Sequence, residues 1–413
     1  MQTCPVRKRE IFGWCCFDFA NSAFTTVIIT VIYSVYFNNV VAQGHPAAKS
    51  WWGIASAAAQ TIAIVLSPWL GAVADFTARK KLFLMASAVI CSLFTATLYG
   101  VGPGMVVLAL ILVSLANVAF SLSENFCASF LPEISTPETS GRISGYGWSF
   151  GYMGGLASLG LALAIIQYGE KYAPWTFPLT AVFFIVACLP TFFWLKERAK
   201  PQLLPAGFSF WKMGWKEVWR TTSRFSQHRT LAVFFVSFTF FMSGLWAIIA
   251  FAALFADEVL HFSQKETILL FVFLQISSAV GAFVFGFFQD KLGSKSALVT
   301  ALLLWLVVSV WAFFCQTKTE FFIIGNLAGL GMGSLQSASR AVVAQLAPEG
   351  KSGEIFGFWG LFGKLGGVLG PLSMGVWATL FDFRLAALLN GLYFLAGLLI
   401  LLKIPLRRAV SSN

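Results

Sequence analysis

Long apolar stretches alternate with short polar ones along almost the whole chain. By our count, twelve of them hold about 20 or more largely apolar residues, the length that a helix needs to cross the hydrocarbon core of a bilayer. Each must be helical there, because a helix satisfies its own backbone hydrogen bonds. The pattern therefore predicts transmembrane helices near residues 13–41, 51–74, 82–101, 104–131, 142–168, 174–195, 229–257, 266–289, 297–316, 320–347, 354–380 and 384–403.

One stretch of the chain occurs twice. Residues 140–155 read SGRISGYGWSFGYMGG and residues 352–367 read SGEIFGFWGLFGKLGG, with eight of sixteen positions identical. Five of the shared residues are glycine, which lets another backbone approach closely. The copies differ at their thirteenth position, which is Tyr152 in the first copy and Lys364 in the second. We therefore expect two halves that share a backbone plan and differ in the side chains they present.

Composition identifies a membrane protein and sets its orientation. Hydrophobic residues make up 58% of the 413 positions and charged residues 11%, with a mean hydropathy of +0.79. Of the 28 lysines and arginines, 21 fall on the side of the predicted spans that carries both termini. Since basic residues stay inside, both termini are predicted to be cytoplasmic. The net charge of +11 then follows from topology and implies no nucleic-acid partner.

Two predicted spans end in similar motifs, GAVADFTARKK at 71–81 and GFFQDKLGSK at 286–295. Both resemble the loop motif of the major facilitator superfamily, although Phe76 and Ala78 replace the expected base and glycine in the first. The resemblance implies an all-α protein of twelve transmembrane helices, in two pseudo-symmetric six-helix bundles around a central cavity.

The aspartate of each motif is predicted to contact a helix of the opposite bundle. A carboxylate there can accept hydrogen bonds from the exposed N–H groups at a helix start. We expect such contacts at the start of the eleventh span and at the start of the fifth, closing the cytoplasmic side. The alternative is a pair of solvated turns that obey the positive-inside rule. The candidate gating residues are Asp75, Arg79, Arg142, Asp290 and Glu354.

The bundles are assigned to residues 1–195 and 229–413, with a polar linker at 196–228. In the linker, tryptophans recur every four residues at Trp211, Trp215 and Trp219. Bases recur with the same spacing, beginning one residue after the first tryptophan, at Lys212, Lys216, Arg220 and Arg224. This spacing predicts an amphipathic helix on the cytoplasmic leaflet, with its bases towards anionic lipid headgroups. It serves as a spacer in this interpretation, and a site for a regulatory partner is the alternative.

Polar residues inside spans are the candidate binding residues, because lipid penalises them unless they face a cavity or a partner. Helical spacing places Asp18, Asn21 and Ser22 on one face of the first span, although Asp18 is near enough to the membrane edge to act as a cap. The fourth span carries Asn117 and Glu124, and the tenth carries Gln336 and Arg340. Glu124 and Arg340 occupy equivalent positions in the repeat. They are expected to face a common aqueous cavity or one another, and a static ion pair between the two helices is the alternative.

Lys364 is the deepest candidate. It follows the predicted start of the eleventh span by ten residues, or roughly 15 Å, about half the hydrocarbon thickness. A lysine at that depth must reach a cavity or an acid. Transport is the function that fits such a residue, and a fixed structural ion pair is the alternative. Tyr152, its counterpart in the repeat, is added to the candidate binding residues.

Four further stretches resemble the vacuole-effluxer family of the major facilitator superfamily. They are FDFANSAF at 17–24, GRISG at 141–145, QSASR at 336–340 and FGK at 362–364. The family is named for a yeast autophagy-linked vacuolar amino-acid exporter and has bacterial members. The compact loops favour the bacterial branch, and hence the inner membrane of the cell.

The predicted function is secondary active transport of a small polar or zwitterionic solute, with amino acids among the candidates. It proceeds by alternating access and is coupled to protons or another ion. An exporter or flippase of an amphiphile or lipid, and a sensor built on the transporter fold, are the alternatives. No enzyme is expected, because the three histidines, His45, His228 and His261, lack metal spacing. No cofactor is expected; the protein is predicted to be a monomer that contacts membrane lipids.

Overall fold

The computed structural model describes residues 6–202, 209–223 and 228–406, and every regular element in those ranges is a helix. The α-helices are α1 Lys8–Ala23, α2 Tyr33–Tyr36, α3 Ala48–Thr77, α4 Lys80–Thr97, α5 Val106–Ala128, α6 Leu131–Ile134, α7 Ser140–Ile166, α8 Thr176–Trp194, α9 Phe210–Ser223, α10 Arg229–Leu260, α11 Gln264–Leu292, α12 Ser294–Phe314, α13 Lys318–Leu346, α14 Ser352–Leu380 and α15 Phe383–Leu402. Short 3-10 helices at Leu98–Gly100 and Glu170–Trp175 follow α4 and precede α8.

The first transmembrane stretch is not a uniform α-helix. After α1 it continues as π-helix over Phe24–Val31, passes through the single turn of α2, and becomes π-helix again over Phe37–Val41. The whole stretch, Lys8–Val41, is 34 residues long. It contains the predicted first span, 13–41, and starts a few residues earlier.

Eleven helical stretches in the described residues are long and apolar enough to cross a membrane. The remaining predicted span, 320–347, corresponds to α13, which is 29 residues long but carries too many polar residues to be among the eleven. Residues 331–344 of α13 are all buried, so this helix needs no apolar outer face. The prediction of an all-α, multi-pass membrane protein is confirmed.

Contacts among the helices divide the chain into two compact units. Unit 1 comprises Met1–Ile134, Phe150–Val218 and Glu349–Phe358. Unit 2 comprises Ser135–Ser149, Trp219–Pro348 and Trp359–Asn413. The first turns of α7 are therefore grouped with the C-terminal helices, and the first turns of α14 are grouped with the N-terminal helices.

The helices of each unit pack in the same pairs. In unit 1, α1 packs on α8, α3 on α5, and α4 on both α5 and α8. In unit 2, α10 packs on α15, α11 on α13, and α12 on both α13 and α15. Each pair of unit 2 is the sequence equivalent of a pair of unit 1. The repeat seen in the sequence is thus a repeat of packing.

The linker between the halves contains the predicted helix, α9. It begins at Phe210 and ends at Ser223, within the predicted linker 196–228. Residues 203–208 and 224–227 of that linker lie outside the described residues. Met213 and Thr221 are buried whereas Trp219 is exposed. One side of the helix is therefore packed against protein and another side is exposed.

Candidate functional site

In unit 1, the carboxylate of Asp75 caps the start of α14. Asp75 is in the last turn of α3, and its two oxygens accept hydrogen bonds from the backbone N–H groups of Gly353 and Glu354, both at 2.9 Å. The first N–H groups of a helix have no partner inside the helix, and the helix dipole makes that end positive. The buried carboxylate satisfies two of these groups and is stabilised by them in return.

In unit 2, Asp290 makes the equivalent contact with the start of α7. Its carboxylate accepts hydrogen bonds from the backbone N–H groups of Gly141 at 2.9 Å and Arg142 at 3.2 Å. The Nε of Arg142 lies 3.6 Å from the same carboxylate, and its side chain is 44% exposed, so this ion pair adds little beyond the backbone contacts. Both aspartates therefore lie where their motifs predict.

A pair of glycines brings the backbones together at each aspartate. A Cβ atom placed on Gly353 would lie 2.7 Å from the carbonyl oxygen of Gly71. A Cβ atom placed on Gly286 would lie 2.8 Å from the carbonyl oxygen of Gly141. Neither position has room for a side chain. The glycines shared by the two motifs and the two helix starts are thus required by close backbone approach.

The loop after each aspartate turns through a left-handed residue. Ala78 has a φ of 51° and Gly293, its counterpart, has a φ of 90°. The motif expects glycine at both places, because glycine adopts positive φ at no steric cost. Ala78 thus keeps the positive φ of the motif without its glycine, although its ψ of 46° differs from the 156° of Gly293. The gating candidate Arg79 follows it, directly before α4, and is exposed.

The gating candidate Glu354 is buried in the first turn of α14. The Nζ of Lys351, which directly precedes that helix, lies 3.6 Å from the Glu354 carboxylate. The same Nζ lies 3.4 Å from the carboxylate of Glu217 in α9. The start of α14 is therefore joined to the linker helix as well as to α3.

A buried ionic network in unit 1 was not predicted from the sequence. Lys80 is only 2% exposed; its Nζ pairs with the Glu133 carboxylate and donates to the Ser352 hydroxyl at 2.8 Å. Glu133 also accepts from the backbone N–H of Arg198 at 3.0 Å, whose guanidinium binds buried Glu10 at 2.7 Å. The sequence signals available were a base two residues after Ala78, which is Lys80, and an acid after Pro132, which is Glu133.

Unit 2 uses neutral groups in the equivalent place. The Ser294 hydroxyl donates to Gln345 at 2.8 Å, and the Gln345 amide donates to the Ser140 hydroxyl at 2.8 Å. Ser140 is the counterpart of Ser352. Lys295, the counterpart of Lys80, instead binds the carbonyl oxygens of Leu402 and Ile404 at 2.7 and 2.9 Å. The two units thus hold their helix starts by similar capping but by different side chains.

Arg340 is held against the first turns of α7 within unit 2. Its Nε donates to the Ser144 hydroxyl at 3.1 Å, and a terminal nitrogen donates to the Ser144 carbonyl at 2.9 Å. Its guanidinium lies 5.3 Å from the ring centre of Trp148, a distance at which cation and ring attract. The Ser144 hydroxyl in turn donates to the Ser337 carbonyl at 2.8 Å. Arg340 is 2% exposed, and these contacts direct its guanidinium towards α7.

The other candidates of unit 1 come from three helices. Asp18, Asn21 and Ser22 lie on α1, and the Ser22 hydroxyl donates to the Asp18 carbonyl at 2.9 Å. A Cβ atom on Gly151 of α7 would lie 3.1 Å from the Ser22 hydroxyl, so α7 packs directly on this stripe. Tyr152 is the next residue of α7. Two more candidates, Asn117 and Glu124, lie on α5.

Unit 2 contributes Gln336 and Arg340 from α13 and Lys364 from α14. Gln336 is buried, and Lys364 is partly buried ten residues or more from either end of its helix. Among the described residues, no group of three or more histidine, cysteine, aspartate or glutamate side chains is arranged to hold a metal ion.

Comparison with known proteins identifies relatives over nearly the whole chain. The family model described as "Vacuole effluxer Atg22 like" matches residues 47–412. A Bacillus subtilis (strain 168) protein described as an uncharacterized MFS-type transporter, YxiO, is 26% identical over 412 residues, which cover 95% of this chain and 94% of that protein. Transporters of this type carry small-molecule solutes across a membrane.

Solved structures show the same fold at low sequence identity. The human organic anion transporter MFSD10 (TETRAN) superposes with a TM-score of 0.77 at 15% identity, over 96% of this chain and all of that one. The MFS (major facilitator superfamily) proton:xylose symporter XylE superposes with a TM-score of 0.71 at 14% identity, over 96% and 95% of the two chains. The fold is therefore the major facilitator fold, as the paired motifs predict.

Proposed function

The chain belongs to the vacuole effluxer Atg22-like family, and from this premise we propose that it is a secondary active transporter of a small polar or zwitterionic solute. Amino acids are the first candidates, because the acids and bases inside the spans match the two charges of an amino acid. Transport proceeds by alternating access and is coupled to protons or another ion.

The observation that carries the proposal is the pair of capped helix starts. In each repeat, an aspartate at the end of one helix binds the first N–H groups of another at 2.9 to 3.2 Å. In each contact one carboxylate accepts hydrogen bonds from two adjacent backbone N–H groups, so the two bonds can break and reform together. We assign Asp75, Asp290, Arg142, Arg79 and Glu354 to the gate that closes the cytoplasmic side.

We assign solute recognition to the polar residues inside the spans. Arg340 and Lys364 attract a carboxylate, whereas Asp18 and Glu124 receive an amine or a coupling proton. The Ser144 contacts orient the guanidinium of Arg340 before solute arrives, which lowers the entropic cost of binding. The neutral groups that complete the set are Asn21, Ser22, Asn117, Tyr152 and Gln336.

We further propose a bacterial inner membrane as the location, with both termini in the cytoplasm and the protein acting as a monomer. The surplus of lysine and arginine on the side of the termini supports this orientation. It also places the two aspartate contacts at the cytoplasmic ends of their helices.

The test has two steps. A screen of the purified protein against amino acids, peptides, nucleosides and lipids identifies a solute by the rise in melting temperature that a ligand of the native state causes. Flux of that solute into proteoliposomes is then compared for the parent, Lys364→Ala, and the exposed-site control Lys49→Ala. We expect Lys364→Ala to lower flux at least about tenfold, or about 1.4 kcal/mol, with the control unchanged. Equal flux in all three proteins would exclude Lys364 from the mechanism.

A further inference from the structure

One face of the linker helix α9 is fixed to the end of α3. A Cβ atom on Gly214 would lie 2.6 Å from a methyl group of Val73, so the backbone of α9 packs directly on side chains of α3 at this point. The indole N–H of Trp69 donates to the Trp211 carbonyl at 3.1 Å. The Trp69 ring also stacks on Trp215, with ring centres 5.4 Å apart and planes 20° from parallel. The helix is therefore held beside a transmembrane helix, at the level where that helix ends.

The exposed surface of α9 is divided into an aromatic face, whose residues Trp211 and Trp215 also contact Trp69, and a basic face. The aromatic face consists of Trp211, Trp215 and Trp219, which are 52%, 49% and 76% exposed. Successive residues of a helix are about 100° apart, so the residues that follow the tryptophans form a second face. This basic face consists of Lys212, Lys216 and Arg220, all of which are exposed.

This division matches the boundary of a bilayer. Indole rings settle between headgroups and acyl chains, and lysine and arginine extend to lipid phosphates. The only acid of α9, Glu217, lies 3.4 Å from Lys351 of the same unit, so the outer faces of the helix are cationic. A cationic face beside exposed indoles is complementary to an anionic leaflet.

We propose that the outer faces of α9 bind anionic phospholipid headgroups, and that this binding strengthens the Asp75 contact at the start of α14. The path is short and lies within unit 1. Glu217 of α9 holds Lys351, and Lys351 lies 3.6 Å from Glu354, whose backbone N–H donates to Asp75. A lipid that immobilises α9 therefore immobilises the first turn of α14. The link to transport rests on the proposed function, whereas the lipid binding does not.

The experiment measures amide hydrogen exchange of the full chain in nanodiscs. One set of discs is pure phosphatidylcholine and the other contains about one-third phosphatidylglycerol, an anionic lipid. We expect the anionic discs to slow exchange at least about tenfold in α9 and severalfold in the first turn of α14. Exchange that is equal in the two discs would overturn the proposal and leave the face to a soluble partner.

Two double variants distinguish lipid binding by the basic face of α9 from attraction of the lipid by the net charge of the protein. Lys212→Glu with Lys216→Glu should abolish the lipid dependence in α9. Lys8→Glu with Arg9→Glu changes the net charge equally at another exposed cytoplasmic site and should leave it intact. If the first pair fails to fold, Lys212→Gln with Lys216→Gln replaces it. Equal loss in both pairs would show that overall charge, not α9, attracts the lipid.

A third variant tests the path to α14. In Glu217→Gln, α9 should still respond to phosphatidylglycerol, because its bases and tryptophans are unchanged. The first turn of α14 should no longer respond, because Lys351 has lost its partner in α9. A full response of α14 in this variant would overturn the proposed path. These readouts need no solute, so they are independent of the flux assay.

Discussion

Gly71 and Gly353 face each other so closely that a methyl group on either would overlap the backbone of the other. Gly286 and Gly141 repeat this relationship in unit 2. Each aspartate contact can form only because both residues beside it lack a side chain. The gate that we propose therefore depends on backbone approach first and on charge second.

Replacing either glycine of such a pair should be destabilising. We expect Gly71→Ala to lower the free energy of unfolding by about 1–3 kcal/mol, the usual cost of overpacking, measured as thermal unfolding in detergent. Gly53→Ala is the matched control in the same helix, because open space surrounds that glycine. Gly53→Ala should raise the free energy of unfolding by about 0.5–1 kcal/mol, because alanine has the higher helix propensity. Equal stabilisation by both changes would contradict the close approach.

Removing the charge of Asp75 should loosen the start of α14. Asp75→Asn keeps the shape but offers one acceptor oxygen in place of two, so one of the N–H groups of Gly353 and Glu354 loses its partner. We expect amide exchange in that turn to rise about tenfold, or about 1.4 kcal/mol. Asp382→Asn, which removes a carboxylate from the start of α15, should affect α15 alone. Unchanged exchange in α14 would refute the cap.

The left-handed residue after Asp75 is a place where the protein can be stabilised. Because alanine at positive φ costs roughly 1–2 kcal/mol, Ala78→Gly should raise the free energy of unfolding by about 0.5–1 kcal/mol after the entropy of the unfolded chain is counted. Gly293→Ala should lower it by a similar amount. The matched control is Ala58→Gly, at an exposed position inside α3. It should lower the free energy of unfolding by about 1 kcal/mol, because glycine has the lower helix propensity. Destabilisation by Ala78→Gly would argue against the turn.

The Lys80 and Glu133 pair should be sensitive to the loss of one member. Lys80→Met leaves a largely buried carboxylate without its cation, at a cost of about 3 kcal/mol. Lys80→Met with Glu133→Gln should recover part of that loss, because the uncompensated charge is gone. The control Lys81→Met removes an ammonium that binds the Leu195 carbonyl and should cost about 1 kcal/mol. Additive single and double changes would show that the pair is not coupled.

Much of the fold could be predicted because the bilayer restricts it. Apolar stretches of span length have to be helices, and the boundaries found for α3 and α14 differ from the predicted ones by a few residues. The copy of residues 140–155 at 352–367 predicted the repeat of packing. Two motif aspartates predicted their contacts, because a carboxylate near unsatisfied helix N–H groups has few better partners.

The side-chain network around Lys80 could not be predicted in the same way. Lys80 is one of three consecutive bases, and only the turn at Ala78 decides which of them points inward. Its partners Glu133 and Ser352 are distant in sequence. Ser352 and Ser140 are identical in the repeat, yet one binds an ammonium and the other an amide, because their neighbours on other helices differ.

The sequence by itself determined the helices and the repeat, since a span depends on transfer between water and oil, a property of each stretch alone. Only the tertiary structure decided which charges meet: that Arg340 binds Ser144, that Glu10 binds Arg198, and that Lys351 joins α9 to α14. Such pairs depend on distances between helices, which are set by the packing of all their residues together.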